Sequence, residues 1–387
     1  MTAVHPLRVA ILAHSTNPRG GVVHALALGD ALTLLGHEAV VHAPDVTGAG
    51  FFREPLCATV SVPASPVSCN IADMVDVRVG DYVRYLAQAS HRRFDVCHAQ
   101  DGISGNALAT LREQGLIRRF ARTVHHVDVF ADPRLDALQT RSILAADELF
   151  VVSRMWRDQL RDRFGKSATI VGNGVDRSLF SPTPDGREDA LRHVFDLTAG
   201  PVFLAIGGVE DRKNTIAILR AFAEVWRTYG EARLVIAGGA SVLDHGDYRR
   251  RFAEALAASG LPAGTVIVAG SMAQADMPAL YRVADTLVFP SLNEGFGLVV
   301  VEAMACGRPV VAAKIAPFTD YLGEGDAVWC NPHDIQSIAA AMTASLAKPL
   351  RDRLAMRGLE VAARHEWRRV AEAHLAAYAA LREFEHA

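Results

Sequence analysis

The chain has 387 residues, half of them hydrophobic and 21% charged; the length favours two domains, and the composition excludes intrinsic disorder as the main state. Its 40 basic and 43 acidic residues are mixed along the chain and leave a net charge of -3, which excludes a strongly basic face for nucleic acid. Cys57, Cys69, Cys97, Cys306 and Cys330 form no CxxC pair, and no uncharged apolar stretch or secretory pattern stands out. The expectation is therefore a cytoplasmic protein without a disulfide framework or zinc knuckle, touching a membrane at most peripherally.

Leu7, Val9 and Ile11 lie in an apolar run, Pro18 to Gly21 breaks it, and Ala25, Leu28, Leu32 and Leu35 then recur at helical spacing. With a second run at 39–42 this predicts a βαβ unit with a parallel sheet. Further strands are expected at 95–99, 122–125 and 149–152, so the first half reads as a doubly wound α/β domain. Residues 181–200 are rich in turn formers and read as a linker with one short helix. The alternation then restarts, with strands expected at 201–206, 233–237, 266–269, 286–289 and 309–312. From Leu350 the composition is helical, with Trp367 and Tyr378 as anchors. Ligands of open α/β sheets bind at the carboxyl ends of the strands, so chemistry is expected in a cleft between two such domains.

The sharpest motif runs from Ser291 through Glu294-Gly295-Phe296-Gly297-Leu298 to Glu302 and on to Pro309. A strand ends before it and a helix begins near Gly297, so free backbone N–H groups and the helix dipole can face an anion. Ionised Glu294 and Glu302 are pure acceptors and suit sugar and ribose hydroxyls. Either glutamate alone would read as a solvated residue of a capped helix. The whole pattern, S-x-x-E-G-F-G-L-x-x-x-E-A-M-A-C-G-x-P-V-V, resembles the donor-binding motif of the retaining glycosyltransferases of family 4, which have the GT-B fold. Gly20-Gly21 with Leu35-Gly36-His37-Glu38, and Asn173-Gly174-Val175-Asp176 with Phe180, resemble two further family segments. The likeness covers most of the chain and thins at 54–93 and beyond Pro332.

That resemblance gives meaning to weaker signals. Gly207-Gly208-Val209-Glu210-Asp211-Arg212-Lys213-Asn214 is by itself a β-α loop with surface charges; it resembles the family's G-R-x-x-x-x-K-G segment, whose Arg and Lys bind the donor diphosphate. Lys213 matches, while Gly208 stands where the Arg is usual, leaving open whether Arg212 supplies the second charge. Gly20 and Gly21 permit close approach of backbone to a phosphate or sugar, or form a plain tight turn. They do not complete G-x-G-x-x-G, so a dinucleotide cofactor and a dehydrogenase are disfavoured. After the strand at 122–125, the resemblance assigns His125 as the active-site histidine, with His126 and Asp128 as acceptor-side candidates. Ser271 and Met272 resemble a loop that brackets the nucleotide base. Pro317-Phe318-Thr319-Asp320 departs from a Pro-Glu pair frequent in the family. No D-x-D triplet occurs, so no metal is expected to hold the diphosphate.

The resulting expectation is an α/β GT-B protein with two Rossmann-like domains facing each other across a cleft. Residues 1–182 form the acceptor-binding domain, 183–365 the nucleotide-sugar domain, and 366–387 a helix crossing back to the first. The implied activity is retaining, metal-independent hexosyl transfer from a nucleotide-diphosphate sugar, UDP favoured and GDP open, to an unidentified hydroxyl acceptor. His125, Glu294 and Lys213 are the catalytic candidates. The donor is held by Gly20, Gly21, Arg212, Lys213, Ser271, Met272, Glu294, Gly295, Phe296, Gly297, Leu298 and Glu302. The nucleotide-sugar is a substrate, and no cofactor is expected. An epimerase or hydrolase of the same fold, and a non-catalytic nucleotide-sugar sensor, remain as alternatives at this point.

Overall fold

The computed structural model describes residues 6–67, 70–197, 200–239 and 246–383; Cys69 and the last residues of the helical tail lie outside them. The first unit comprises Met1–Asn173 with Trp367–Ala387, and the second Gly174–Glu366.

In the first unit the elements run β1 (Arg8–Leu12), α1 (Gly20–Leu34), β2 (Glu38–Asp45), β3 (Ala58–Pro63), α2 (Ile71–Ala87), β4 (Val96–Ala99), α3 (Gly102–Glu113), β5 (Ala121–Val124), α4 (Pro133–Leu144), β6 (Glu148–Val151), α5 (Arg154–Phe164) and β7 (Thr169–Ile170). They form a parallel sheet in the order β3-β2-β1-β4-β5-β6-β7. Strand β1 is central, with Ala10 beside both Val40 and Cys97. Val9 to Leu12 are wholly buried, which explains why this strand reads as an unbroken apolar run: helices cover both faces of a parallel sheet.

The second unit contains α6 (Glu188–Val194), β8 (Val202–Ile206), α7 (Thr215–Trp226), β9 (Arg233–Ala237), α8 (Gly246–Ala258), β10 (Val266–Gly270), α9 (Met277–Val283), β11 (Thr286–Phe289), α10 (Leu298–Ala305), β12 (Val310–Ala313), α11 (Phe318–Tyr321), β13 (Val328–Cys330), α12 (Ile335–Ser345) and α13 (Lys348–Arg364). Its parallel sheet has the order β10-β9-β8-β11-β12-β13, and its core gathers Phe203, Leu219, Phe222, Ile236, Val288, Ile338 and Met342. The chain returns to the first unit as α14 (Trp367–Glu383). Val370, Ala371, Tyr378 and Leu381 of α14 share a core with Ile11, Leu28 and Phe150. No helix among the described residues is long and apolar enough to cross a membrane, and Cys57, Cys306 and Cys330 are buried free thiols.

Two sequence expectations shift here. The first units divide at Asn173/Gly174, not after 182, because the intervening residues are held by the second unit. The Val175 N–H donates to the His365 carbonyl at 2.7 Å, and the Phe180 ring packs edge-on against Tyr281. Of the expected linker, residues 181–197 are part of the second unit, where the buried Arg282 guanidinium of α9 pairs with both Asp185 and Glu188, and α6 is the short helix expected there.

Because Tyr378 is wholly buried in the first unit, Tyr378→Ala is expected to destabilise that unit by about 3–5 kcal/mol. Denaturant unfolding checks this; a loss below about 1 kcal/mol would show that α14 is not part of that core.

Candidate functional site

Each sheet reverses its strand order once, between β1 and β4 in the first unit and between β8 and β11 in the second. Loops leaving neighbouring strands in opposite directions at such a point open a crevice at the strand carboxyl ends. In the second unit, the loop after β8 carries Arg212 and Lys213, and the loop after β11 carries Glu294.

These three side chains meet. Lys213 Nζ donates to Glu294 Oε1 at 2.6 Å, and Arg212 Nη1 approaches the same oxygen at 2.8 Å. Lys213 and Glu294 are 13% and 7% exposed, Arg212 46%, so one cation is sequestered and the other reaches solvent. Burial pushes the Glu294 carboxyl up, but Lys213 and Arg212 outweigh it and hold the group below its usual range. Burial lowers the Lys213 ammonium more than Glu294 restores it. Lys213 Nζ also stands 4.6 Å from the centre of the Phe289 ring, a cation–π contact that supports it from the strand side. The Leu292 N–H donates to the Arg212 carbonyl at 2.9 Å, tying the two loops by backbone as well.

Glycine makes this loop possible. Gly207 has φ 122°, and a Cβ there would lie 2.5 Å from Lys213 Cε, on the path the lysine stem takes. Gly208 has φ 75°, and a Cβ would stand 2.9 and 3.0 Å from the Gly238 and Gly239 carbonyl oxygens. An arginine therefore does not fit at 208 in this backbone, and the second positive charge beside Lys213 comes from Arg212.

The rest of the motif divides by what it can offer. Gly297 caps α10 at φ 91°, and a Cβ there would strike Phe318 at 2.7 Å, so the helix start depends on glycine. Phe296 is 5% exposed and stacked on Tyr321 at 4.5 Å, so its ring is part of the unit's packing. What Gly295 to Leu298 present is backbone. Glu302 does not join Glu294. It accepts a hydrogen bond from the Tyr281 hydroxyl at 2.6 Å, and burial pushes its carboxyl up to about 7. Ser271, after β10, is exposed with its hydroxyl over Gly239, and Met272 is partly buried beside it.

In the first unit, His125 directly follows β5 and Gly20-Gly21 open α1. They are the first helical residues and not a separate tight turn. A Cβ on Gly21 would lie 3.6 Å from the His125 ring, while a Cβ on Gly20 would meet nothing within 4 Å. His125 Nε2 is 3.0 Å from Gln100 Oε1, and the His24 ring meets His125 edge-on at 4.8 Å. Burial, then His24, His126, Arg122 and His14, hold the His125 pKa well below the usual imidazole value, so the ring is neutral near pH 7. His126 and Asp128 are half-exposed and paired, with Nε2 to Oδ2 at 3.1 Å. Their loop is clamped to α4 by Gln139, whose amide exchanges hydrogen bonds of 2.8 and 2.9 Å with the Asp128 backbone. The sequence reading missed Gln100 and Gln139; a lone glutamine carries no spacing signal, and only the fold places them. Among the described residues no group of three or more His, Cys, Asp or Glu side chains is arranged to hold a metal ion.

Two family models match the chain: Glycosyltransferase Family 4 over residues 18–179 and Glycosyl transferases group 1 over residues 189–360. The D-inositol 3-phosphate glycosyltransferase of Acidothermus cellulolyticus is 32% identical over 61% of this chain and 54% of its own length, so the match spans about half of that relative. The protein of the same description from Nocardiopsis dassonvillei is 32% identical over 82% of this chain and 79% of its own. In fold, the chain is similar to sucrose-phosphate synthase from Thermosynechococcus elongatus, with a TM-score of 0.80 at 22% identity, covering 98% of this chain and 100% of that one. With two parallel Rossmann-like sheets, a return helix and these matches across both units, the chain belongs to glycosyltransferase family 4 and has the GT-B fold.

Proposed function

We propose that this protein is a retaining glycosyltransferase that moves a sugar from a nucleotide-diphosphate donor to a hydroxyl acceptor without a metal ion. The observation that carries the reading is the convergence of Lys213 and Arg212 on Glu294 at the switch point of the second unit. A leaving diphosphate needs fixed positive charge where its own charge develops. One buried ammonium, one reachable guanidinium and the backbone at the start of α10 supply it with no reorganisation of the fold. Glu294, already ionised, is an acceptor for hydroxyls of the transferred sugar, and Glu302 for the ribose diol.

The acceptor is held by the first unit. His125 is neutral, so it serves as a hydrogen-bond partner of the sugar or the departing oxygen, not as a charge. His126 and Asp128 lie beside it on a clamped loop and are acceptor contacts. Attack comes from the side the diphosphate leaves, and the departing phosphate oxygen takes the acceptor proton, so the product keeps the anomeric configuration of the donor. A UDP-sugar is the favoured donor, with a GDP-sugar open. The name shared by the two relatives makes D-inositol 3-phosphate the first acceptor to try.

Incubation of the protein with each UDP- and GDP-sugar, with and without EDTA, and with D-inositol 3-phosphate or simple sugars, tests this. Product of retained anomeric configuration, formed equally in EDTA, is expected; donor hydrolysis or epimerisation that ignores acceptor supports the alternatives.

A second prediction concerns Glu302. Burial pushes its carboxyl up to about 7, and a ribose diol favours the ionised acceptor. Nucleotide binding then lowers this pKa, releases a proton near pH 7, and tightens as pH rises through that value. Calorimetry in buffers of different ionisation enthalpy is expected to show that release, and Glu302→Gln to abolish it. A buffer-independent enthalpy in the wild type would remove Glu302 from the ribose.

A further inference from the structure

Gln100 follows β4 at the strand carboxyl end and is 2% exposed. Its amide lies between two histidines. On one side Oε1 is 3.0 Å from His125 Nε2. On the other, Nε2 is 3.3 and 3.4 Å from the two ring nitrogens of His98. A group nearly equidistant from both nitrogens cannot lie in the ring plane, where it would run into Cε1, so the amide stands over the ring face. The in-plane positions are already taken: His98 Nδ1 is 2.6 Å from the Tyr378 hydroxyl and Nε2 is 2.8 Å from Thr123 Oγ1.

This arrangement decides which way the amide points. The face of an aromatic ring carries negative quadrupole and attracts an N–H, while it repels a carbonyl oxygen. The Gln100 NH2 therefore lies over His98, and its carbonyl faces His125. A carbonyl accepts only, so His125 Nε2 must donate, and a neutral imidazole with its proton on Nε2 has its lone pair on Nδ1.

We propose that Gln100 is a positioning residue that fixes both the ring orientation and the tautomer of His125, backed through His98 by Thr123 and by Tyr378 of the return helix. The proposal rests on the reading of His125 as a residue of the transfer site. It assigns a task to α14 besides packing: its Tyr378 hydroxyl holds the ring on which the Gln100 amide rests. His24 limits the same imidazole from another side. Its Nδ1 donates to Asn173 Oδ1 at 2.5 Å, which leaves its ring edge against His125.

The direct test is nitrogen NMR of protein labelled with 15N-histidine, which separates protonated from unprotonated ring nitrogens. Wild-type His125, assigned by its loss in His125→Gln, is expected to show a protonated Nε2 and an unprotonated Nδ1. Gln100→Ala is expected to mix the two tautomers and, in turnover, to lower kcat by about 10²-fold with little change in donor KM, as for a misplaced contact. Gln100→Glu keeps an acceptor at the same reach and is expected to keep Nε2 protonated; Tyr378→Phe, which retains the packing, is expected to loosen the tautomer preference. A wild-type Nδ1–H tautomer, or a preference unchanged in both Gln100→Ala and Tyr378→Phe, overturns the proposal. The NMR readout needs no activity: the stated tautomer in a protein that transfers no sugar would overturn the transferase reading and leave this one standing.

Discussion

The geometry of the second unit turns on a single carboxylate. Glu294 is buried and shared by Lys213 and Arg212, and a buried charge of this kind persists only when paired. The pairing holds two loops that belong to different strands and leave the sheet in opposite directions. It also keeps a cation in a partly dehydrated site before any ligand arrives. Such a site has its electrostatics in place at the moment of reaction, where fixed charge stabilises a leaving group far better than it would in water.

The first unit repeats this architectural logic with neutral groups. Its switch point lies between β1 and β4, and of the residues following those strands Gly21 and Gln100 stand against His125. Instead of opposed charges there is a buried network of imidazoles, amides and hydroxyls, in which burial keeps His24 down at about 4 and His374 at about 3. A neutral network of this kind directs hydrogen bonds without adding charge.

Much of this was legible in the sequence because period and spacing encode it. The central strands read as apolar runs, and α14 was expected from composition; it begins at the anchor Trp367 and buries the anchor Tyr378. Edge strands were not legible: β3 buries one of its six residues, β7 has two residues and β13 three, too few to show a pattern. Glu294 of the motif and Lys213 of the loop after β8 were expected at one site, and their side chains are in contact. Phe296 was placed at the donor site by resemblance, and its ring is stacked on Tyr321, an orientation that sequence does not reveal. The glycine at 208, which looked like a lost charge, is required by the Gly238 and Gly239 carbonyls that crowd it. Gln100 was invisible because its meaning comes from His98 and His125, which the fold alone brings to it.

If Lys213 and Arg212 hold the diphosphate while Glu294 holds the transferred sugar, Lys213 and Glu294 must differ in what their loss does to binding of the sugar-free nucleotide. Calorimetric titration of UDP and GDP into wild type, Lys213→Ala and Glu294→Gln measures this directly. The account predicts that Lys213→Ala loses most of the affinity for the preferred diphosphate, whereas Glu294→Gln, folded and with both cations released, binds it at least as tightly as wild type. Unchanged binding in Lys213→Ala, or equal loss in both variants, would contradict it.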